Sequence, residues 1–315
     1  MNILEAPVQR SSLTSQAYWY LNNRFVVLAD AGETDNEYGL VHGLIDPAGT
    51  PSAHVHDRED EVFYVVRGEG RILVGDQEFV GKPGDLFYLP RGVAHVPMAD
   101  SEEVETLILI SPANFLGYFQ EFMQPATHAG HPSRQEIDVP AVEDMLRAGH
   151  RYGVTFLPPA ATVGSWPVPE IHAEPRHVKS DAGDQLGILA SRVTVKLDGA
   201  ATQGLFSIFE IEDLPGAGMP PNIHRNDSEA FYVLDGHYEV MVEWMTDRVG
   251  PGSFVYIPRG VARSYRNVGS TIGKMLQISA KSGHEDFYRE VHANRGCGEG
   301  RFNEIAHRHG IDIVG

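Results

Sequence analysis

The chain has 315 residues, enough for two domains that each bury a core without help from disulfides or a structural metal. A formal charge of −18, from 25 basic and 43 acidic side chains with no Lys/Arg block, repels phosphate backbones and anionic membrane faces and so excludes nucleic acid and membrane as expected partners. The single cysteine, Cys297, excludes an internal disulfide framework and fits a reducing compartment; with no signal-like opening and no long apolar run, a cytoplasmic protein is expected.

In chain order, the opening MNILEAPVQRSSLTSQAYWYL is long enough to form an arm, and Tyr38 and His42 lie just ahead of the first motif, where they could line a barrel or serve as edge or core residues. The pair His54-Val55-His56 reads as a strand with both imidazoles on one face. EVFYVVRG and GRILVGDQEFV flank a Gly-Glu-Gly turn, and GDLFYLPRGVAHVPM alternates apolar residues around Pro90-Arg91-Gly92. Gly68 and Gly84 are expected where a turn needs positive φ. Phe63, Phe87 and Tyr88 are expected in an apolar wall, and Asp57, Glu59 and Asp60 are read as solvated turn charges. FLGYFQEFMQPA from Phe115 and VPAVEDMLRAGHRYG from Val139 have helical spacing, the second with Asp138 as N-cap and Pro140 in its first turn. FLPPAATVGSWPVPE, rich in Pro and small residues, reads as a linker and divides the chain into domains of residues 1–160 and 161–315.

The second half repeats the first. HDREDEVFYVVRGEG from His56 aligns without a gap with HRNDSEAFYVLDGHY from His224, and the offset of 168 residues also maps Gly84 onto Gly252 and Pro90-Arg91-Gly92 onto Pro258-Arg259-Gly260. HEDFYREVHANRG from His284 again has helical spacing, in the place that FLGYFQEFMQ takes after the first copy. The fold expected is all-β, two tandem β-barrels with short helices after each. His128, His131, His292, His307 and His309 fall in predicted loops, helices or the tail and are read as surface histidines.

His54, His56, Glu61 and His95 are the candidate metal ligands. Hairpin pairing can gather them, and neutral imidazoles with one carboxylate suit a divalent first-row ion; four protein donors leave two of six positions for water, substrate or dioxygen. The ordering HxH, four residues, Glu, six residues, Gly, then PxG, two residues, His resembles the two cupin motifs, here HVHDREDEVFYVVRG and GDLFYLPRGVAH. The resemblance spans both halves, and the order of barrels, following helices and connector is most similar to the bicupin quercetin 2,3-dioxygenases and their pirin-like relatives. It implies jelly-roll barrels, His54, His56, Glu61 and His95 as ligands, and Glu61 as a catalytic hydrogen-bonding partner or base for a substrate hydroxyl. It further implies one divalent transition metal, iron first and manganese, nickel, cobalt, copper or zinc as alternatives, a small-molecule substrate with dioxygen, and a homodimer formed through N-terminal strands.

At the same offset the second copy offers Asn222, His224, Glu229 and Arg263. Two ligands are lost, and Arg263 carries a permanent positive charge, so a degenerate site without metal is expected: either a polar plug in which Arg263 and Glu229 pair and hydrogen-bond, or a small anion site using Arg263 and His224. The functional reading is a metal-dependent dioxygenase acting on a small aromatic or enolic substrate in the first barrel. Its rivals are a non-redox metal-dependent isomerase, cyclase or decarboxylase, and a ligand-binding bicupin without turnover.

Overall fold

The computed structural model describes residues 6–74, 77–100, 103–158 and 173–314. Contacts divide the chain into two units, Ser15–Asp181 and Met1–Thr14 with Ala182–Gly315. Each is a jelly-roll of two antiparallel sheets.

In the first unit an eight-stranded sheet carries Asn23–Ala29, Gly39–Ile45, Val104–Ser111, Asp60–Arg67 and Leu86–Leu89 at its centre. A five-stranded sheet carries Val154–Phe156, His54–His56, His95–Ala99, Gly70–Val74 and Gln77–Gly81. Side chains alternate across each strand, so Phe25, Val41, Phe63, Val65 and Ile108 from the larger sheet meet Ile72 and Val74 from the smaller in one core. Gly68 and Gly84 have φ of 81° and 89°, as their turns require. The helix Leu116–Phe122 follows the last barrel strand. The helix Val142–Arg151 begins later than the spacing predicts: Ala141, in extended conformation after Pro140, is its N-cap, and Asp138 bonds through its backbone N–H to Gln124 instead.

The second unit repeats this plan with sheets of seven and five strands. Beyond the helix His284–Ala293 the tail adds a helix, Glu299–Arg308, and a strand, Ile311–Ile313, that pairs with Gly218–His224.

The division expected at residue 160 lies outside the described residues, and two short strands move the contact boundaries elsewhere. Val8–Ser11 pairs with Ser253–Tyr256 of the second barrel, while Arg176–Val178 pairs with Leu86–Tyr88 of the first. These strands are themselves 168 residues apart, so each barrel closes the same sheet edge with a strand that precedes the other barrel's sequence. Val8–Ser11 of the N-terminal arm is thus paired within its own chain.

Candidate metal centre

The strand His54–His56 sends both imidazoles to one face, and His95 opens the neighbouring strand directly opposite His54. The Pro90-Arg91-Gly92 turn is tied down by the Gly92 N–H, which donates to the His56 carbonyl at 2.7 Å, with Gly92 at φ 83°. Glu61 enters from the larger sheet, paired in register with Leu89 and Ile110. The four predicted residues therefore converge, with one ligand atom from each lying within 4.8 Å of the others. His95 Nε2 is 3.1 Å from Glu61 Oε2, and His56 Nε2 is 3.7 Å from it.

All four residues are buried. Burial, reinforced by the neighbouring His95, lowers the His54 pKa to about 3, and burial with His54 and His95 holds His56 well below the ordinary imidazole range. These two rings are neutral and can donate lone pairs. His54 Nδ1 and His95 Nδ1 each sit 2.9 Å from a backbone carbonyl, of Ser52 and Val93, which fixes the tautomer and turns Nε2 to the cluster. Both nitrogens of His56 are buried without a hydrogen-bond partner, a costly arrangement that coordination through one of them relieves. The donor set and this orphaned imidazole fit a divalent ion.

Around the cluster, three side chains differ from the setting expected of them. Glu59 and Asp60 are 1% and 2% exposed rather than solvated; only Asp57 of that trio is exposed. Asp60 accepts hydrogen bonds from Tyr88 Oη, the Arg91 N–H and Arg91 Nε, which anchors the turn ahead of His95. Tyr88 thus points away from the apolar wall to which Phe63 and Phe87 belong. Burial, against the charge of Arg58, raises Glu59 to about 7. His42 lies off the site, 3.5 Å from Glu105.

One apolar cavity reaches the cluster at His54 and Glu61. Its wall includes Tyr20, Phe25, Phe115, Tyr118, Phe119 and Phe156. The helix Leu116–Phe122 and the turn before it supply half of these rings, and Phe115 stands edge-on to His56 at 4.3 Å. Arg71, on the cavity lining, is engaged by Glu78 and Asp100.

In the second barrel the register repeats, with Asn222 opposite Arg263. Arg263 is 1% exposed, and its Nε lies 3.4 Å from Glu229 Oε2. Arg263 and Glu229 thus pair as expected but without a hydrogen bond between them: Nη1 donates to the Ile257 carbonyl at 3.4 Å, and Nε and Nη2 have no hydrogen-bond partner. His284, which lies outside the repeated motif, joins His224 and Glu229, the three ligand atoms lying within 4.8 Å of one another. It opens the helix His284–Ala293, which covers the barrel, and no spacing rule for strands points to it.

The family model described as a cupin domain matches residues 41–111 and 209–279, two segments related by the offset of the repeat. The chain is 24% identical over 245 residues to a quercetin 2,3-dioxygenase of Bacillus subtilis (strain 168), covering 76% of this chain and 72% of that one. A 65-residue stretch is 37% identical to an uncharacterized protein of Streptomyces coelicolor, covering 21% of this chain and 62% of that one. Among solved structures, oxalate decarboxylase of Bacillus subtilis superposes with a TM-score of 0.59 at 16% identity, over 98% of this chain and 89% of that one. The oxalate decarboxylase of Lactobacillus farciminis in a formate complex gives 0.59 at 16%, over 94% and 95%. At that identity the likeness is one of fold.

Proposed function

The chain is a bicupin of the cupin superfamily, and from that premise we propose that its first barrel is a metal-dependent dioxygenase site for a small, flat aromatic or enolic substrate. The observation that carries the reading is the aromatic cavity that opens on His54 and Glu61. A divalent ion held by His54, His56, His95 and Glu61 would supply Lewis-acid and redox chemistry toward substrate and dioxygen.

The chain's own residues do the rest. The rings of Phe25, Phe115, Phe119 and Phe156 bury a planar substrate and keep water from it. Glu61 Oε2 faces both His56 and His95 and is the acceptor for the proton of a substrate hydroxyl presented to the cluster. Similarity to a quercetin 2,3-dioxygenase supports a polyphenolic substrate. An oxalate-like diacid fits less well, because the cavity is apolar and Arg71 is already paired with two carboxylates.

The test is oxygen consumption by the metal-loaded protein against a panel of flavonols and other enols, with isotopically labelled dioxygen. Uptake with both labelled atoms in the product supports the proposal. Turnover that proceeds unchanged without dioxygen moves the assignment to Lewis-acid chemistry by an isomerase, cyclase or decarboxylase.

A further inference from the structure

We propose that the second barrel also binds a divalent metal ion, on His224, Glu229 and His284, more weakly than the first barrel. His284 opens the helix His284–Ala293, and the residue 168 positions earlier, Leu116, opens the corresponding helix of the first barrel. An imidazole from the cover helix thus stands in only one of the two copies.

The three side chains are 2%, 5% and 6% exposed, and the rings of His224 and His284 stack with centroids 4.9 Å apart. Their surroundings orient them as ligands. His224 Nδ1 is 2.9 Å from Asp227 Oδ2, which fixes the ring with the Nε2 lone pair free for coordination, as carbonyls do for His54 and His95. Asp227 is itself held by Ser279 Oγ at 2.8 Å and lies 3.7 Å from His284 Nδ1. Glu229 receives a hydrogen bond from Gln277 Nε2 on Oε1, and Gln277 in turn accepts one from Tyr288. Two imidazoles and a carboxylate, with His224 and Glu229 held by hydrogen bonds from behind, form a recognised donor set for first-row divalent ions.

Charge decides the affinity. Glu229 and Asp227 bring two negative charges against the one on Arg263, so a divalent cation leaves the buried cluster at net +1. An added anion would leave it at net −2. Arg263 has no hydrogen bond to Glu229, so Oε2 keeps a lone pair, but its charge at 3.4 Å repels the ion and weakens the site.

The experiment is cobalt(II) titration of the metal-free full chain, followed by visible absorption and native mass spectrometry. Two equivalents are expected, the second bound at least tenfold more weakly. H54A/H95A should retain the weaker equivalent alone, H284Q and the near-isosteric E229Q should each lose it, and R263Q should tighten it at least tenfold. H284Q and E229Q, at separate positions, guard against a folding failure in either. No binding by H54A/H95A, together with no gain in R263Q, overturns the proposal. Because H284Q leaves the first barrel intact, its oxygen uptake reports separately on the dioxygenase reading.

Discussion

His54 and His95 face each other across one antiparallel rung, their ring centroids 4.4 Å apart, and the same rung of the second barrel holds Asn222 and Arg263. Two donors on one rung cannot drift apart without breaking the ladder, so the sheet itself pre-organises the pair.

Replacing either histidine by alanine is therefore expected to release metal from the first barrel. The metal-free protein should lose about 1–3 kcal/mol, from the space left by a buried ring, but the loaded protein should lose more, because saturation at about 1,000 times Kd adds about 4 kcal/mol that the variants forgo. Elemental analysis and melting with and without chelator measure both. Unchanged metal content in H54A and in H95A would reject these residues as ligands.

Asp213, in the second unit, supplies a pH dependence of stability that involves none of the first-barrel ligands. Burial pushes its carboxyl up to about 6, hydrogen bonds from Ser191 and from Tyr238 offsetting only part of that. The folded state then binds a proton that the unfolded state has released between about pH 4 and 6, so this contribution to stability falls as pH rises through that window. Above it the cost is on the order of 2–3 kcal/mol. D213N can keep both hydrogen bonds without the charge. It should melt several degrees higher than the parent at pH 7.5 and converge with it near pH 4. Equal melting temperatures at pH 7.5 would show that the carboxylate is not penalised.

The first cluster was legible in the sequence because its donors lie inside a strand pattern: period two places His54 with His56, and the repeat singles out Glu61 over Glu59. What was not legible depends on burial or on partners distant along the chain. Glu59 and Asp60 follow an exposed turn residue yet are enclosed, Asp60 because it ties Tyr88 and Arg91 together. His284 has helical neighbours, and only the packing of that helix on the barrel brings it to His224. The strands Val8–Ser11 and Arg176–Val178 carry no strong alternation, and their pairing is set by the sheet edges they cover.

Gly81 controls the cavity wall. A Cβ placed there would lie 2.4 Å from Cζ of Phe87, a ring that lines the cavity, so alanine must push that ring. The expected result for G81A is a stability loss of about 1–3 kcal/mol and a KM for aromatic substrate raised severalfold, with metal content unchanged. Co-loss of metal would instead mean that the strain spreads to the ligands.

The strand Val8–Ser11 forms an edge of the second barrel's larger sheet, registered from Val8 on Tyr256 to Ser11 on Ser253, and Ser12 Oγ adds a contact of 3.1 Å to Tyr232 Oη. Deleting residues 1–12 removes these bonds and bares the strand Ser253–Ile257, whose side chains are largely buried. At about 1 kcal/mol for each lost hydrogen bond, the second barrel should lose on the order of 3 kcal/mol and gain an edge prone to intermolecular pairing. Differential scanning calorimetry should show one transition moving down, and light scattering should show association, while metal content of the first barrel is retained. A truncated chain that melts like its parent would mean that the strand adds nothing to the stability of the sheet it borders.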